Sequence, residues 1–293
     1  MAKARTDAGS DDMKLIATLL LFGCGIAFAS VEVVDDLGIK VKLKSNPERI
    51  ISLSPHLTEL LFSLGVGEKI VATVAHADHP AAAKKIPRLG NAFSLSVEAI
   101  IELSPDLILA WSTGGNQTTL ARLRELGYVI YVNEVGNLEG IGYSAARLGA
   151  LVGELETGLQ LESEYLQELS MIRSSEKSES GFKVFFQISD KQLYTVNGAH
   201  LIGQSISVCG GQNIFGDLPL SVSMVSLESV VDADPDRVIV ARPYEGFVTS
   251  WSDTWRRLGW DSRVRYIDAS LVTRPSLRMI EGIKSMCKSI KES

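Results

Sequence analysis

The sequence predicts an α/β protein of two Rossmann-like lobes. Each lobe has a central, mainly parallel sheet, one long α-helix joins them, and a ligand cleft lies between them. Three observations predict this. The stretch Ser96-Val-Glu-Ala-Ile-Ile-Glu-Leu-Ser-Pro-Asp-Leu-Ile-Leu recurs without a gap as Ser226-Leu-Glu-Ser-Val-Val-Asp-Ala-Asp-Pro-Asp-Arg-Val-Ile, 130 residues later. One recurrence is too few for a solenoid and fits two similar lobes. Short apolar runs alternate with helical spacings on both sides of residues 151–178. Residues 151–178 themselves have a helical period and no proline. The expected organisation is an export signal at 1–29, a first lobe at 46–150, a linking helix at 151–178 and a second lobe at 179–292.

Residues 1–29 read as an export signal. Lys14 precedes an apolar run that ends in the small-x-small pattern Ala27-Phe-Ala29. The run is too short to span a membrane comfortably. Asp7, Asp11 and Asp12 suit a positive leader poorly and point to Met13 as the true start. Cleavage is expected after Ala29. Leu21-Phe-Gly-Cys24 offers the alternative of lipid attachment at Cys24. Either way Cys24 leaves the fold, and Cys209 and Cys287 remain. An even pair in an exported chain favours a disulfide over two buried free thiols.

In the first lobe, Ile50-Ile-Ser-Leu-Ser54 reads as a buried strand ending in Ser-Pro. Leu57, Leu60, Leu61 and Leu64 have helical spacing, and Gly65 supplies the stop. Residues 70–74, 107–111 and 129–133 are strands; 120–126 and 141–151 are helical. In the repeat, Ser96 and Ser226 are N-caps. Glu98 and Glu228 fall in the first helical turn, where a negative charge suits the dipole. Two equivalent acids, one per lobe, would also make a symmetric docking surface. Five glutamates alternate with Leu155, Leu159, Leu166 and Leu169 in the linking helix. Residues 174–181 end it as a polar loop. The second lobe repeats the alternation at 184–188, 201–208, 238–241 and 264–268 and closes on a helix at 278–290. A helix between lobes is stiffer than crossing strands, so the cleft is expected to be largely preformed.

The composition narrows the function. A net charge of −6 and no dense Lys/Arg stripe argue against nucleic acid as a partner. There is no nucleophile elbow, Gly-rich phosphate loop, Cys-x-x-Cys or His-Glu-x-x-His, so no enzyme chemistry, cofactor or metal site is assigned. Ligands of open α/β sheets sit at the carboxyl ends of the strands. That rule nominates Pro55, His56, His76, Trp111, Gln187, Tyr194, Tyr244 and Arg274, an aromatic- and amide-rich set suited to a large, flat ligand. His76-x-x-His79 beside Asp78 could begin a metal site, but His79-Pro80 reads as a turn.

Arg49-Ile-Ile-Ser-Leu-Ser-Pro-His-Leu-Thr-Glu-Leu-Leu-Phe, residues 97–111, Val208-Cys-Gly-Gly-Gln-Asn-Ile-Phe215 and Arg274-Pro-Ser-Leu-Arg278 resemble the helical-backbone solute-binding proteins of ABC importers. The resemblance covers about residues 47–291. That family carries cobalamin, haem and ferric siderophores. The Cys-Gly-Gly run, Ala110-Trp111 and the late cysteine resemble its cobalamin-carrying branch. The resemblance implies a periplasmic, monomeric binding protein that takes cobalamin or a related corrinoid to an ABC permease dimer. Haem or a ferric siderophore is the alternative ligand. A metal chaperone using His76 and His79 is the alternative outside the family. The resemblance also implies that Glu98 and Glu228 meet permease arginines, and that Cys209 and Cys287 form the branch's disulfide. It puts Pro55 against the corrin, His76 in the place of a cleft tyrosine, and Phe93 or Ala92 in the place of a cleft tryptophan. Arg274 falls near the ligand's amides.

Overall fold

Two four-stranded parallel sheets with the same strand order organise the chain. The computed structural model describes residues 1–2, 30–91, 94–113, 116–176 and 181–292; residues 3–29 of the expected export signal, with Cys24, and also Ala92 and Phe93 lie outside them. A hairpin of β1 (Val31–Val34) and β2 (Lys40–Leu43) precedes the first lobe. The lobe then runs β3 (Ile50–Ser52), α1 (Pro55–Ser63), β4 (Ile70–Thr73), the short pair β5 (Gly90–Asn91) and β6 (Ser94–Leu95), α2 (Val97–Glu102), β7 (Leu107–Trp111), α3 (Gln117–Glu125) and β8 (Ile130–Asn133). Its sheet has the order β4-β3-β7-β8. Ile50, Ile51, Leu107, Ile108 and Leu109 are buried on both faces, which is why these strands read as unbroken apolar runs.

Two helices follow, α4 (Leu138–Val152) and α5 (Leu155–Ser175). The second lobe runs β9 (Lys183–Gln187), β10 (Tyr194–Val196), α6 (Leu201–Val208), β11 (Gln212–Asn213), β12 (Val222–Met224), α7 (Leu227–Ala233), β13 (Arg237–Arg242), α8 (Ser252–Arg257), β14 (Val264–Asp268), α9 (Ala269–Val272) and α10 (Met279–Lys291). Its sheet has the order β11-β9-β13-β14. In both lobes the second strand pairs outside the first, and the third and fourth follow on the other side.

The sequence repeat occupies the same place in both lobes, down to single hydrogen bonds. Ser96 accepts from the Ala99 N–H and Ser226 from the Ser229 N–H, each at 3.1 Å. The residue before each Pro-Asp turns left-handed, Ser104 at φ 45° and Asp234 at φ 44°. The aspartates then staple the start of each lobe's first strand. Asp106 accepts the N–H groups of Glu48 and Arg49; Asp236 accepts that of Lys183. A cation at the foot of that strand caps the repeat helix's last carbonyls: Arg49 on Leu103 at 2.7 Å and Lys183 on Ala233 at 3.2 Å.

The linking helix does not begin at residue 151. Gly153 takes φ 86° and closes α4, so the long helix starts at Leu155. The connection is therefore a pair of packed helices. They touch through glycine: a Cβ on Gly158 would lie 2.8 Å from the Ala145 carbonyl and 3.1 Å from the Gly149 Cα. Both helices serve both cores. Ala145, Leu148 and Leu151 of α4 pack with Leu57, Leu60 and Tyr131 of the first lobe. Leu138 and Ile141 of α4, with Tyr165, Leu169 and Ile172 of α5, pack with Phe186, Ile206 and Met286 of the second.

Cys209, after α6, is bonded to Cys287 of α10, as expected. The bond closes a separation of 78 residues; chain-entropy reasoning values that at on the order of 4–5 kcal/mol.

His56 belongs to this frame rather than to the ligand surface, a correction to the expectation from sequence. It is buried in the first turn of α1. Asn133 turns its amide N–H groups to Asp36 and Ser144. Its carbonyl oxygen therefore faces His56 Nε2 at 3.3 Å, which makes Nε2 the protonated nitrogen. Nδ1 then accepts from the Ser54 hydroxyl at 2.5 Å. Burial lowers the His56 pKa from 6.5 to about 4, against a smaller opposing effect of Asn133. The unfolded chain thus binds a proton that the folded chain refuses between these values. Stability should fall as pH drops from 6.5 toward 4, by on the order of 3 kcal/mol from this group. Urea unfolding of the wild type and His56→Gln across that window measures it. An equal loss in both proteins would contradict the assignment.

Candidate functional site

On the first lobe, the carboxyl ends of β3, β4 and β7 present three of the expected residues. Pro55 is half-buried at the first position of α1. Trp111 is the last residue of β7, half-buried, with its ring edge-on to His56 at 5.9 Å. The loop after it is tied down by Glu134, which accepts from the Ser112 hydroxyl and from the Thr113 N–H and hydroxyl. His76 is exposed and left-handed at φ 66°, in a turn beyond β4.

On the second lobe, Gln187 is fully buried at the end of β9. Its amide donates to the Ser189 carbonyl and the Thr249 hydroxyl, both at 3.0 Å. It is thus a brace for the loops and not the ligand contact expected from its strand-end position. Asp190 continues the brace, accepting from the Thr249 hydroxyl and the Ser250 N–H, while Trp251 Nε1 donates to the Asp190 carbonyl. Residues 243–251 are held there and present Tyr244, 65% exposed and edge-on to Phe247. Tyr194 is half-buried on β10, directly across from Met224 of β12.

That pairing extends a feature of which the resemblance marks only Val222, the place of a second-lobe cleft tryptophan. Leu220, Val222 and Met224 are all exposed, and strand alternation sets Val222 and Met224 on one face with Tyr194. The result is an apolar shelf on the second lobe, of the sort that marks a binding surface. The alternation in Leu220-Ser-Val-Ser-Met224 was the available signal.

Arg274 sits where the lobes meet. Its Nη1 donates to Glu59 of α1 at 2.9 Å and to Asp78 at 2.8 Å. The Ser276 hydroxyl donates to the other Glu59 oxygen at 2.6 Å, and Arg278 Nη1 approaches Glu59 at 3.4 Å. Glu59 is only 3% exposed. Leu277, between these residues, packs against both lobes' cores. Asp78 therefore turns to Arg274 and not to a metal shared with His76 and His79. Among the described residues no three His, Cys, Asp or Glu side chains gather in a metal-binding group.

Glu98 and Glu228 are exposed in the first turns of α2 and α7. Each helix runs back against its sheet into a parallel strand, which sets both N-termini on the carboxyl rims where the cleft opens. Each carboxyl is held below the usual carboxylate range, first by its own backbone N–H and then by the hydroxyl of Ser96 or Ser226. Both carry a charge at neutral pH.

Known proteins share this architecture. The vitamin B12-binding protein of Vibrio campbellii is 30% identical over 244 residues, covering 82% of this chain and 88% of that protein. The crystal structure of the periplasmic vitamin B12 binding protein BtuF of Vibrio cholerae is 30% identical and superposes with a TM-score of 0.77 over 84% of this chain and 97% of that one. The periplasmic heme-binding protein RhuT from Roseiflexus sp. RS-1, at 22% identity and a TM-score of 0.72, shares the fold over 83% of this chain and 97% of its own. No helix among the described residues is long and apolar enough to cross a membrane. The pattern of the periplasmic binding protein family matches residues 50–258, spanning both lobes and the helices between them, and the chain belongs to that family.

Proposed function

We propose that this protein captures cobalamin or a closely related corrinoid in the periplasm and delivers it, as a monomer, to the permease dimer of an ABC importer. The observation that carries the reading is the set of exposed and half-buried apolar side chains that each lobe presents at or near its strand ends. Trp111 and Pro55 come from one rim; Tyr194, Tyr244 and the Leu220-Val222-Met224 shelf come from the other. A corrin is a large, flat ring with an apolar face on each side and carboxamides around its edge. Two apolar walls with a few donors at their margin suit it. The 30% identity to vitamin B12-binding proteins over most of the chain supports the same ligand.

Binding without chemistry is the natural role of such a site. Ser54 and His56 are within hydrogen-bond distance of each other, yet both are buried and no substrate atom could reach them. The leader at residues 1–29 supplies export. The two ionised rim glutamates supply a symmetric pair of contacts for a symmetric permease, one from each lobe.

Two outcomes are expected. The mature chain mixed with cyanocobalamin, haemin and a ferric siderophore should co-elute with cyanocobalamin, seen by its visible bands. Retention of haemin or the siderophore in its place would overturn the ligand. The double substitution Glu98→Arg with Glu228→Arg should abolish cobalamin-dependent growth while leaving the purified protein's affinity for cyanocobalamin unchanged. Normal uptake by that double variant would dismiss the docking role.

A further inference from the structure

Arg242 is the last residue of β13, a central strand of the second sheet. Of the strand ends in the two four-stranded sheets, only Arg242 and Asp268 carry a charge. Strand alternation sets these two side by side. Val238 and Val240 face the core cluster of Phe185 and Trp255, so Arg242 leaves the sheet on that same face. Asp268 is its register partner on β14. Opposite charges so placed attract. Asp268 instead accepts the Ser270 N–H at 2.8 Å and caps α9. The Arg242 guanidinium is left with no hydrogen bond or ion pair among the described residues.

The side chain is half-buried and stands two residues before Tyr244, which belongs to the proposed ligand surface. Such a guanidinium has lost part of its water and gained no acceptor in return. The other charges nearby do not supply one. Asp268, Glu245 and Lys191 are exposed, so water screens them. Asp190 is committed to Thr249 and Ser250 in the loop brace. An oxyanion on the ligand would complete the site, since arginine grips one with two parallel charge-assisted bonds.

A cobalamin ring is edged with neutral carboxamides and carries its one fixed negative charge elsewhere. That charge is the phosphodiester of the nucleotide loop, which hangs from the ring's lower face. We propose that Arg242 binds this phosphodiester and so turns the base-bearing face of the ring toward the second lobe. The proposal rests on the corrinoid reading above. It gives an otherwise apolar site a means of telling a complete cobalamin from a precursor that lacks the loop.

The test measures affinities of the purified mature chain for cyanocobalamin, dicyanocobinamide phosphate and dicyanocobinamide. The second lacks the base and keeps a phosphate; the third lacks both. The wild type should prefer the two phosphate-bearing ligands, by about tenfold or more, and added salt should narrow the preference. Arg242→Gln should bring the ratio close to one, and Arg242→Lys should keep part of it. Arg242→Met replaces the Gln variant if a thermal melt shows the latter to be poorly folded. A wild-type ratio near one, or a ratio that the neutral variants leave unchanged, would overturn the phosphate contact while leaving the corrinoid reading intact. Haemin and its dimethyl ester form the second arm, because propionates offer the same oxyanion chemistry. Haemin binding that both esterification and Arg242→Gln weaken, with no corrinoid retained, would overturn the corrinoid reading and the phosphate contact together.

Discussion

The buried carboxylate of Glu59 is the constraint on which the geometry of the site depends. A charge in that position must be compensated, and its partners all come from the far end of the chain: Arg274, Ser276 and Arg278. Withdrawing one partner of such a group costs about 3–5 kcal/mol, because the remaining charge is stranded. The 274–278 segment is therefore pinned to α1, and with it the second lobe to the first. Leu277 fills the space between the two cores at the same point.

The two linking helices impose the same constraint from the other side. Gly149 and Gly158 let α4 and α5 approach until backbone touches backbone, and each helix contributes to both cores. An interior packed in this way has few intermediate arrangements. Among the described residues the lobes are thus joined by the two helices, the Glu59 ion cluster and Leu277. On the proposed reading a ligand meets walls already in place, and opening them calls for work delivered from outside. Glu98 and Glu228, on opposite lobes and both ionised, are where a partner could apply it.

Much of this was legible in the sequence for stated reasons. The repeat at 96 and 226 predicted two equivalent lobes, because capping serines and the aspartates of the Pro-Asp turns recur at the same spacing in both copies. The buried parallel strands announced themselves as unbroken aliphatic runs. Gly153 was harder to read. Leu151 and Leu155 keep a helical spacing across it, and only its left-handed backbone divides one helix into two. The site was less legible than the fold. His56 and Gln187 stand at strand ends, where residues usually meet ligands, and only their partners Asn133 and Thr249 turn them inward. The partners of Glu59 lie more than two hundred residues away, a pairing that no local pattern encodes.

Solution X-ray scattering of the mature protein, alone and saturated with cyanocobalamin, tests the fixed cleft most directly. Lobes held by Glu59 and by the α4–α5 glycine contact predict superimposable curves. A more compact particle on ligand addition, as hinge closure would give, would contradict a preformed site.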